Sequence, residues 1–442
     1  MLFTNKDLKK LIIPLVIEQL LVIMVGFADT VMVSSVGEAA VSAVSLVDGI
    51  NILLINIFAA LGTGGAVVAA QFIGQKSMDK AKYAAKQLIL ITAILSFLIM
   101  VIVIIFNTAI LHFVFGNVES AVMDNAEIYF LFSAISYPFI ALYNAGAALF
   151  RAIGNSKISM VNSAIMNAIN IVLNAVFIYG CKWGVFGAVL ATLIARIVAC
   201  LIVLKSLSHS ENPICVNDYL HWHFDFAYIK KILTIGIPSG LENGMFQLGK
   251  ILVQSLVATF GTYAIAANAV SNSLCQMQII PGMAISLAMV TVVGQCVGAQ
   301  DYQQAKYYIK KLMLITYISM AILIVILLVA TPTILTFYSL SKETTDLAYQ
   351  CIFLHGIIAA VFWPASFTFP NALRAANDAK YTMTVSAASM WTFRFCLSYV
   401  LGQFMSLGLL GVWIDMFVDW IVRVILFMIR YKSNKWMNRK LV

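Results

Sequence analysis

From Leu11 to Ile429 the chain alternates long apolar runs with short polar turns, and that alternation constrains the fold more than any other feature. Runs near 11–33, 44–73, 87–111, 126–149, 158–179, 185–204, 233–258, 264–297, 312–335, 347–371, 381–404 and 408–429 each approach or exceed the roughly 20 residues that a helix needs to cross a bilayer. Inside lipid every backbone N–H and C=O must be satisfied within its own segment, so runs of this length form helices. The expected fold class is an all-α polytopic membrane protein with 12 transmembrane helices. With 62% of the 442 residues hydrophobic and 11% charged, nothing is left over for a sizeable soluble domain. The first run follows a basic stretch, as in a signal peptide, but Glu18 and Asp29 interrupt it, and it reads as an uncleaved first span. The seven cysteines are odd in number and scattered through apolar runs, which suits small core residues and not a disulfide framework or metal cluster.

The net charge of +9 is a topology signal. Of the 28 Lys and Arg, 22 fall at the N-terminus, the C-terminus and in alternate loops, against two, Lys182 and Lys342, in the loops between them. By the positive-inside rule both termini are cytoplasmic, in a multi-pass protein of the cell membrane. The basic residues then face anionic lipid, and nucleic acid is not a partner.

Sliding the chain over itself by 224 residues exposes a duplication. Pro14 and Glu18 fall on Pro238 and Glu242, Gln71 and Gly74 on Gln295 and Gly298, and Gly184 and Gly187 on Gly408 and Gly411. Arg151 and Lys157 meet Arg374 and Lys380 at an offset of 223. Each half holds an even number of spans, so the repeats are parallel, as in transporters that alternate access around a midplane site. The expected organisation is an N-lobe over 1–205, a cytoplasmic linker over 206–231 and a C-lobe over 232–442, the two six-helix lobes flanking a central cleft. His209, His221 and His223 lie in the linker at poor metal spacing.

Six-plus-six parallel repeats, Pro14 with Gly26, Asp29 and Thr30 on the first span, Gln-x-x-Gly before each basic loop, and Arg-Ala-x-Gly/Asn after the fourth and tenth spans resemble the multidrug and toxic compound extrusion (MATE) transporters. The resemblance covers essentially the whole chain. It implies a monomer in the lipid bilayer that exports small amphiphilic, cationic compounds in exchange for Na⁺ or H⁺, with no other cofactor and with the coupling ion handled largely in the N-lobe.

Ionisable residues within spans are costly unless paired or wet, so each is a functional candidate. Asp29 lies near the outer end of the first span. Asn170 and Asn174 stand at i and i+4 on one face of the fifth. The hairpin turning near Lys182 sets Asn174 level with Thr192 on the sixth. One carboxylate plus neutral oxygens suits a hard cation such as Na⁺. These four positions match the N-lobe cation site of the resembled family, except that Asn174 stands where many members have Asp; Asp29 alone can instead carry a proton. Asp48 reads as an interfacial residue of the second span, and Arg196 as a charge without an evident partner.

The repeat maps Asp29 to Val253, Asn170 to Arg394, Asn174 to Ser398 and Thr192 to Met416, so the C-lobe lacks an equivalent cation site. It carries instead a charge network of Arg394, Asp415, Asp419 and Arg423. Hairpin register sets Arg394 level with Asp419, and the two are expected to pair. Glu18 and Glu242 are repeat mates; if their spans border the cleft as in the resembled family, they present acids to substrate, unless Lys250 neutralises Glu242.

Two other classes compete. A lipid-linked glycan flippase needs a cavity rich in Arg and Lys, whereas the cleft candidates are acidic. A membrane-embedded transferase needs clustered acids or a catalytic His, and only His355 lies in a span, so the chain is not read as an enzyme.

Overall fold

The computed structural model describes residues 2–116, 119–209, 212–216, 223–338 and 340–439; His221 of the linker and Lys440 of the basic C-terminus lie outside them. The regular structure among these residues is helical: α1 (Asn5–Ser34), α2 (Glu38–Gly74), α3 (Met78–Ile105), α4 (Ser120–Ala152), α5 (Ser156–Gly180), α6 (Gly184–Leu207), α7 (Phe226–Ala258), α8 (Thr262–Gln278, resuming as Ile280–Gly298), α9 (Tyr302–Thr336), α10 (Lys342–Ala375), α11 (Ala379–Ser389, continuing through Met390–Cys396 and Tyr399–Phe404) and α12 (Gly408–Lys432). These twelve rods are the twelve expected spans. Among the described residues nine are long and apolar enough by themselves to cross a membrane. The other three, α7, α11 and α12, are those that carry Glu242, Lys250, Arg394, Asp415, Asp419 and Arg423. Large apolar side chains such as Phe27, Phe97, Val329 and Phe404 stand exposed on the rods, as a lipid solvent requires.

The start of α1 is fixed locally. Thr4 caps it and the Asp7 carboxylate accepts from the Thr4 backbone N–H at 2.9 Å, closing a capping box. Those hydrogen bonds from Thr4 hold the Asp7 carboxyl below its ordinary value.

The duplication read from the sequence is written into the backbone. Left-handed residues recur at the repeat offset: Lys76 with Gln300, Lys182 with Ser406, Gly37 with Gly261 and Gly184 with Gly408. The π-helical ends of the fifth and eleventh rods, Ala175–Gly180 and Tyr399–Phe404, are likewise 224 residues apart. After each comes a close approach that only a glycine permits. A Cβ on Gly187 would sit 2.9 Å from the Phe177 Cβ, and one on Gly411 would sit 2.7 Å from the Leu401 carbonyl; these two contacts are themselves repeat mates.

The chain divides into two compact units, Phe3–Gly240 and Leu241–Val442, the latter joined by Met1–Leu2. The boundary falls inside α7, two residues past Pro238, so 232–240 packs with the first unit although the sequence groups it with the C-lobe. Gly64 of α2 explains this: a Cβ there would lie 2.6 Å from the Ile232 carbonyl oxygen, so α7 enters on the backbone of α2. Within the first unit α4 is the hub, packing on α2, α3 and α6, while α1 lies along α5. The second unit has an aromatic-rich core in which Trp363, Trp413, Phe417 and Trp420 pack with Met320, Ile324 and Ile352. Pro281 lies in the first turn of the second segment of α8, Pro364 begins a π-helical stretch of α10, and Pro370 follows that stretch. Pro138 sits inside an unbroken α4.

Candidate functional site

In the first unit the polar side chains of α1, α5 and α6 join into one chain of hydrogen bonds. Thr192 Oγ1 donates to the Ala188 carbonyl at 3.1 Å, and Asn170 Nδ2 donates to Thr192 Oγ1 at 3.1 Å. Asn174 Nδ2 donates to Asn170 Oδ1 at 3.2 Å and to Asp29 Oδ1 at 2.7 Å. The structure thus brings Asp29, Asn170, Asn174 and Thr192 together. Asn174 is buried at 1% exposure and its Oδ1 has no partner among the described residues, leaving an acceptor oxygen beside a carboxylate. A buried acceptor of this kind costs about 1–3 kcal/mol until something donates to it or coordinates it.

The chain ends in a pocket of about 110 Å³ lined by Asp29, Thr30, Ser45, Asp48, Tyr129 and Asn174 among others. That is well below the roughly 300–1,000 Å³ of sites for drug-sized ligands. It has room for a cation with a few waters, or for a proton relay. The donor set, carboxylate, amide and hydroxyl oxygens, is the kind that hard cations take.

Two charged groups of the first unit have surroundings that the sequence does not announce. Asp48 is no interfacial bystander. It lines the same pocket as Asp29, accepting from Tyr129 Oη at 3.2 Å and from Asn51 Nδ2 at 3.3 Å, while Tyr137 Oη holds Asn51 Oδ1 at 2.8 Å. Arg196 finds its partner on α4, donating to Ser136 Oγ at 2.6 Å. The signal for Asp48 was available: about the turn between Val36 and Gly37, Asp29 is level with Val44, and Asp48 is one helical turn from Val44 on the same face. Arg196 carries no such signal, because Ser136 lies 60 residues away on a rod with no register to α6 in sequence.

Glu18 and Glu242 are not open acids. Glu18 accepts from Ser159 Oγ at 2.7 Å and pairs with Arg151 at 3.5 Å. Glu242 pairs with Arg374 at 2.7 Å. Both carboxylates are buried, at 7% and 8% exposure, and their partners are the repeat-related arginines of the Arg-Ala-x-Gly/Asn motif. The expectation that these acids present free negative charge is therefore corrected, and Lys250 is not the group that neutralises Glu242.

In the second unit, Asp419 pairs with Arg423 at 2.9 Å within α12, and not with Arg394. The π-helical stretch Met390–Cys396 has wider turns than the α-helix assumed in counting along the hairpin, so the residue that is level is not the residue that faces. Ser389 Oγ also donates to Asp419 Oδ1, and Arg423 Nη2 donates to the Ser386 carbonyl at 3.2 Å. Asp415 is fully buried, with neither carboxylate oxygen in hydrogen-bonding geometry. His355 Nδ1–H donates to Gln278 Oε1 at 2.6 Å, and the ring packs edge-on to Trp413 and Trp420, a satisfied core histidine.

Comparison with known proteins gives three findings. The family model MatE matches twice, at residues 14–176 and 238–400, two segments 224 residues apart. The chain is 28% identical to the uncharacterized transporter YisQ of Bacillus subtilis over 96% of this chain and 94% of that protein. It is 25% identical to the probable multidrug resistance protein NorM of Thermotoga maritima over 98% and 94%. A solved structure described as the outward-facing conformation of a multidrug resistance MATE family transporter of the MOP superfamily superposes with a TM-score of 0.90 at 19% identity, over 98% of this chain and 97% of that one.

Proposed function

The chain belongs to the MatE family, and from that premise we propose that it is a secondary antiporter that exports amphiphilic compounds in exchange for H⁺ or Na⁺. Relatives named for multidrug resistance, in Thermotoga maritima and Bacillus subtilis, support the substrate range. The observation that carries the coupling site is the hydrogen-bonded chain Asp29–Asn174–Asn170–Thr192 ending in a pocket of ion size.

Loading that pocket is the switch. A proton on Asp29, or a cation held by Asp29 with the free Asn174 Oδ1, satisfies an acceptor that is otherwise buried without a partner. The ion drives the cycle only to the extent that it binds one conformation better than the other. Because α1 supplies the carboxylate while α5 and α6 supply the amides and hydroxyl, a shift of α1 against α5 makes or breaks the site. Asp48, hydrogen-bonded by Tyr129 and Asn51, gives the pocket the second carboxylate that Asn174 does not. With Glu18 and Glu242 neutralised by arginines, those two acids do not select cationic substrates, and the proposal extends to amphiphiles without a net positive charge.

Proteoliposomes given an inward Na⁺ gradient and an inward pH gradient separately test this reading. Accelerated release of a rhodamine dye under one of them identifies the coupling ion. Equal dye movement with both gradients absent, singly present and combined contradicts antiport.

A further inference from the structure

Three cations converge on one aromatic ring in the second unit. Lys250 Nζ, one turn beyond Phe246 on α7, lies 5.6 Å from the Phe246 centroid, the Arg394 guanidinium lies at 5.4 Å and that of Arg423 at 5.7 Å. Arg423 is already satisfied by Asp419 and the Ser386 carbonyl. Lys250 and Arg394 are not: neither makes a hydrogen bond or an ion pair among the described residues, and the buried Nε of Arg394 has no partner. The cluster holds three positive charges against two carboxylates. Both Lys250 and Arg394 are half-buried.

A cation inside a span is costly unless it is paired or wet, and an aromatic ring face returns only part of that cost. A planar guanidinium beside a point-charge ammonium is the donor arrangement that a carboxylate accepts from. The surrounding walls are aromatic: Phe367 meets Phe246 edge-on and stacks on Trp363.

We propose that Lys250 and Arg394, gathered over Phe246, form a subsite for the carboxylate of an aromatic amphiphile, so that the transporter accepts acidic or zwitterionic substrates. The subsite deepens the efflux reading and rests on it only for the direction of movement. It is therefore tested by equilibrium binding, which does not depend on transport.

The probes are a rhodamine dye with a free carboxylate and the methyl ester of the same dye, titrated against purified full-length protein by fluorescence polarisation in neutral detergent. The wild type is expected to bind the carboxylate about tenfold more tightly than the ester, the scale of one charge-assisted contact. In Lys250→Gln and in Arg394→Gln that ratio falls toward one, while Lys250→Arg preserves it. Lys250 makes no ion pair, so Lys250→Gln folds and carries the test even where Arg394→Gln does not. An unchanged ratio in Lys250→Gln overturns the proposal. So does loss of the wild-type preference on adding phosphatidylglycerol, with dye binding otherwise retained, because a lipid phosphate then holds the subsite.

Discussion

The two lobes descend from one repeated backbone, yet their interiors carry opposite charge. In the first, Asp29 and Asp48 share a small pocket with amides and hydroxyls, and the nearby cation, Arg196, is spent on Ser136. In the second, the position of Asn170 is taken by Arg394 and that of Asp29 by Val253, and Lys250 and Arg423 join the arginine around Phe246. The shared parts, the Glu18–Arg151 and Glu242–Arg374 pairs and the Gly187 and Gly411 contacts, hold each lobe together. The divergent parts mark where the two lobes differ, and they are where we propose ion loading in one and ligand contact in the other.

The largest effect that sharpens this contrast is on stability. Arg423→Met leaves Asp419 buried without the cation it pairs with, which costs about 3–5 kcal/mol. Thermal unfolding in detergent is expected to show a large drop, whereas Asp29→Asn, which swaps a half-buried acid for an isosteric amide, is expected to unfold near the wild-type temperature. Equal losses from the two would erase the distinction between a structural and a functional charge.

Breaking the shared pairs comes next. Glu242→Gln and Glu18→Gln each remove one member of a buried charge-assisted contact worth about 1.5–3 kcal/mol. The shorter Glu242–Arg374 pair, at 2.7 Å against 3.5 Å, is expected to cost the more. If only one of the two variants is destabilised, the repeat mates are not equivalent. Gly411→Ala and Gly187→Ala probe the shared hairpins, each with an overpacking cost of about 1–3 kcal/mol. Gly411→Ala is expected to be the worse, since its methyl meets backbone at 2.7 Å, while that of Gly187 first meets a side-chain carbon at 2.9 Å.

The smallest effect is on ion choice. Asn174→Asp adds a third carboxylate to the pocket and replaces the donor that Asp29 accepts from. The variant is expected to gain thermal stability from NaCl over choline chloride at a Na⁺ concentration lower by about threefold or more, because added ligand charge strengthens a hard-cation site. No Na⁺ response in either protein leaves the proton as the coupling ion.

Much of this was legible in the chain. The apolar runs gave twelve rods and the offset of 224 gave two lobes, because both follow from backbone constraints that act over short stretches. That Asn170, Asn174 and Thr192 meet could be counted, since α5 and α6 form a tight hairpin whose register runs from its turn; Asp29 joins them from α1. Counting failed where the backbone is not an ideal α-helix. The π-helical turns of α11 moved Arg394 off Asp419, and the arginines that reach Glu18 and Glu242 come from motifs that read as cytoplasmic loops. The packing of 232–240 against α2 includes the approach of Ile232 to Gly64 across 168 residues of sequence, a contact that no local pattern announces.

The central claim is that ion coupling resides in the N-lobe pocket and not in its C-lobe counterpart. Gradient-driven dye export by Asp29→Asn proteoliposomes, with equilibrium dye binding measured on the same preparation, tests it most directly. The account predicts that the variant still binds dye but that its export no longer responds to an imposed H⁺ or Na⁺ gradient. Export at the wild-type rate, rising with the gradient as before, would contradict it.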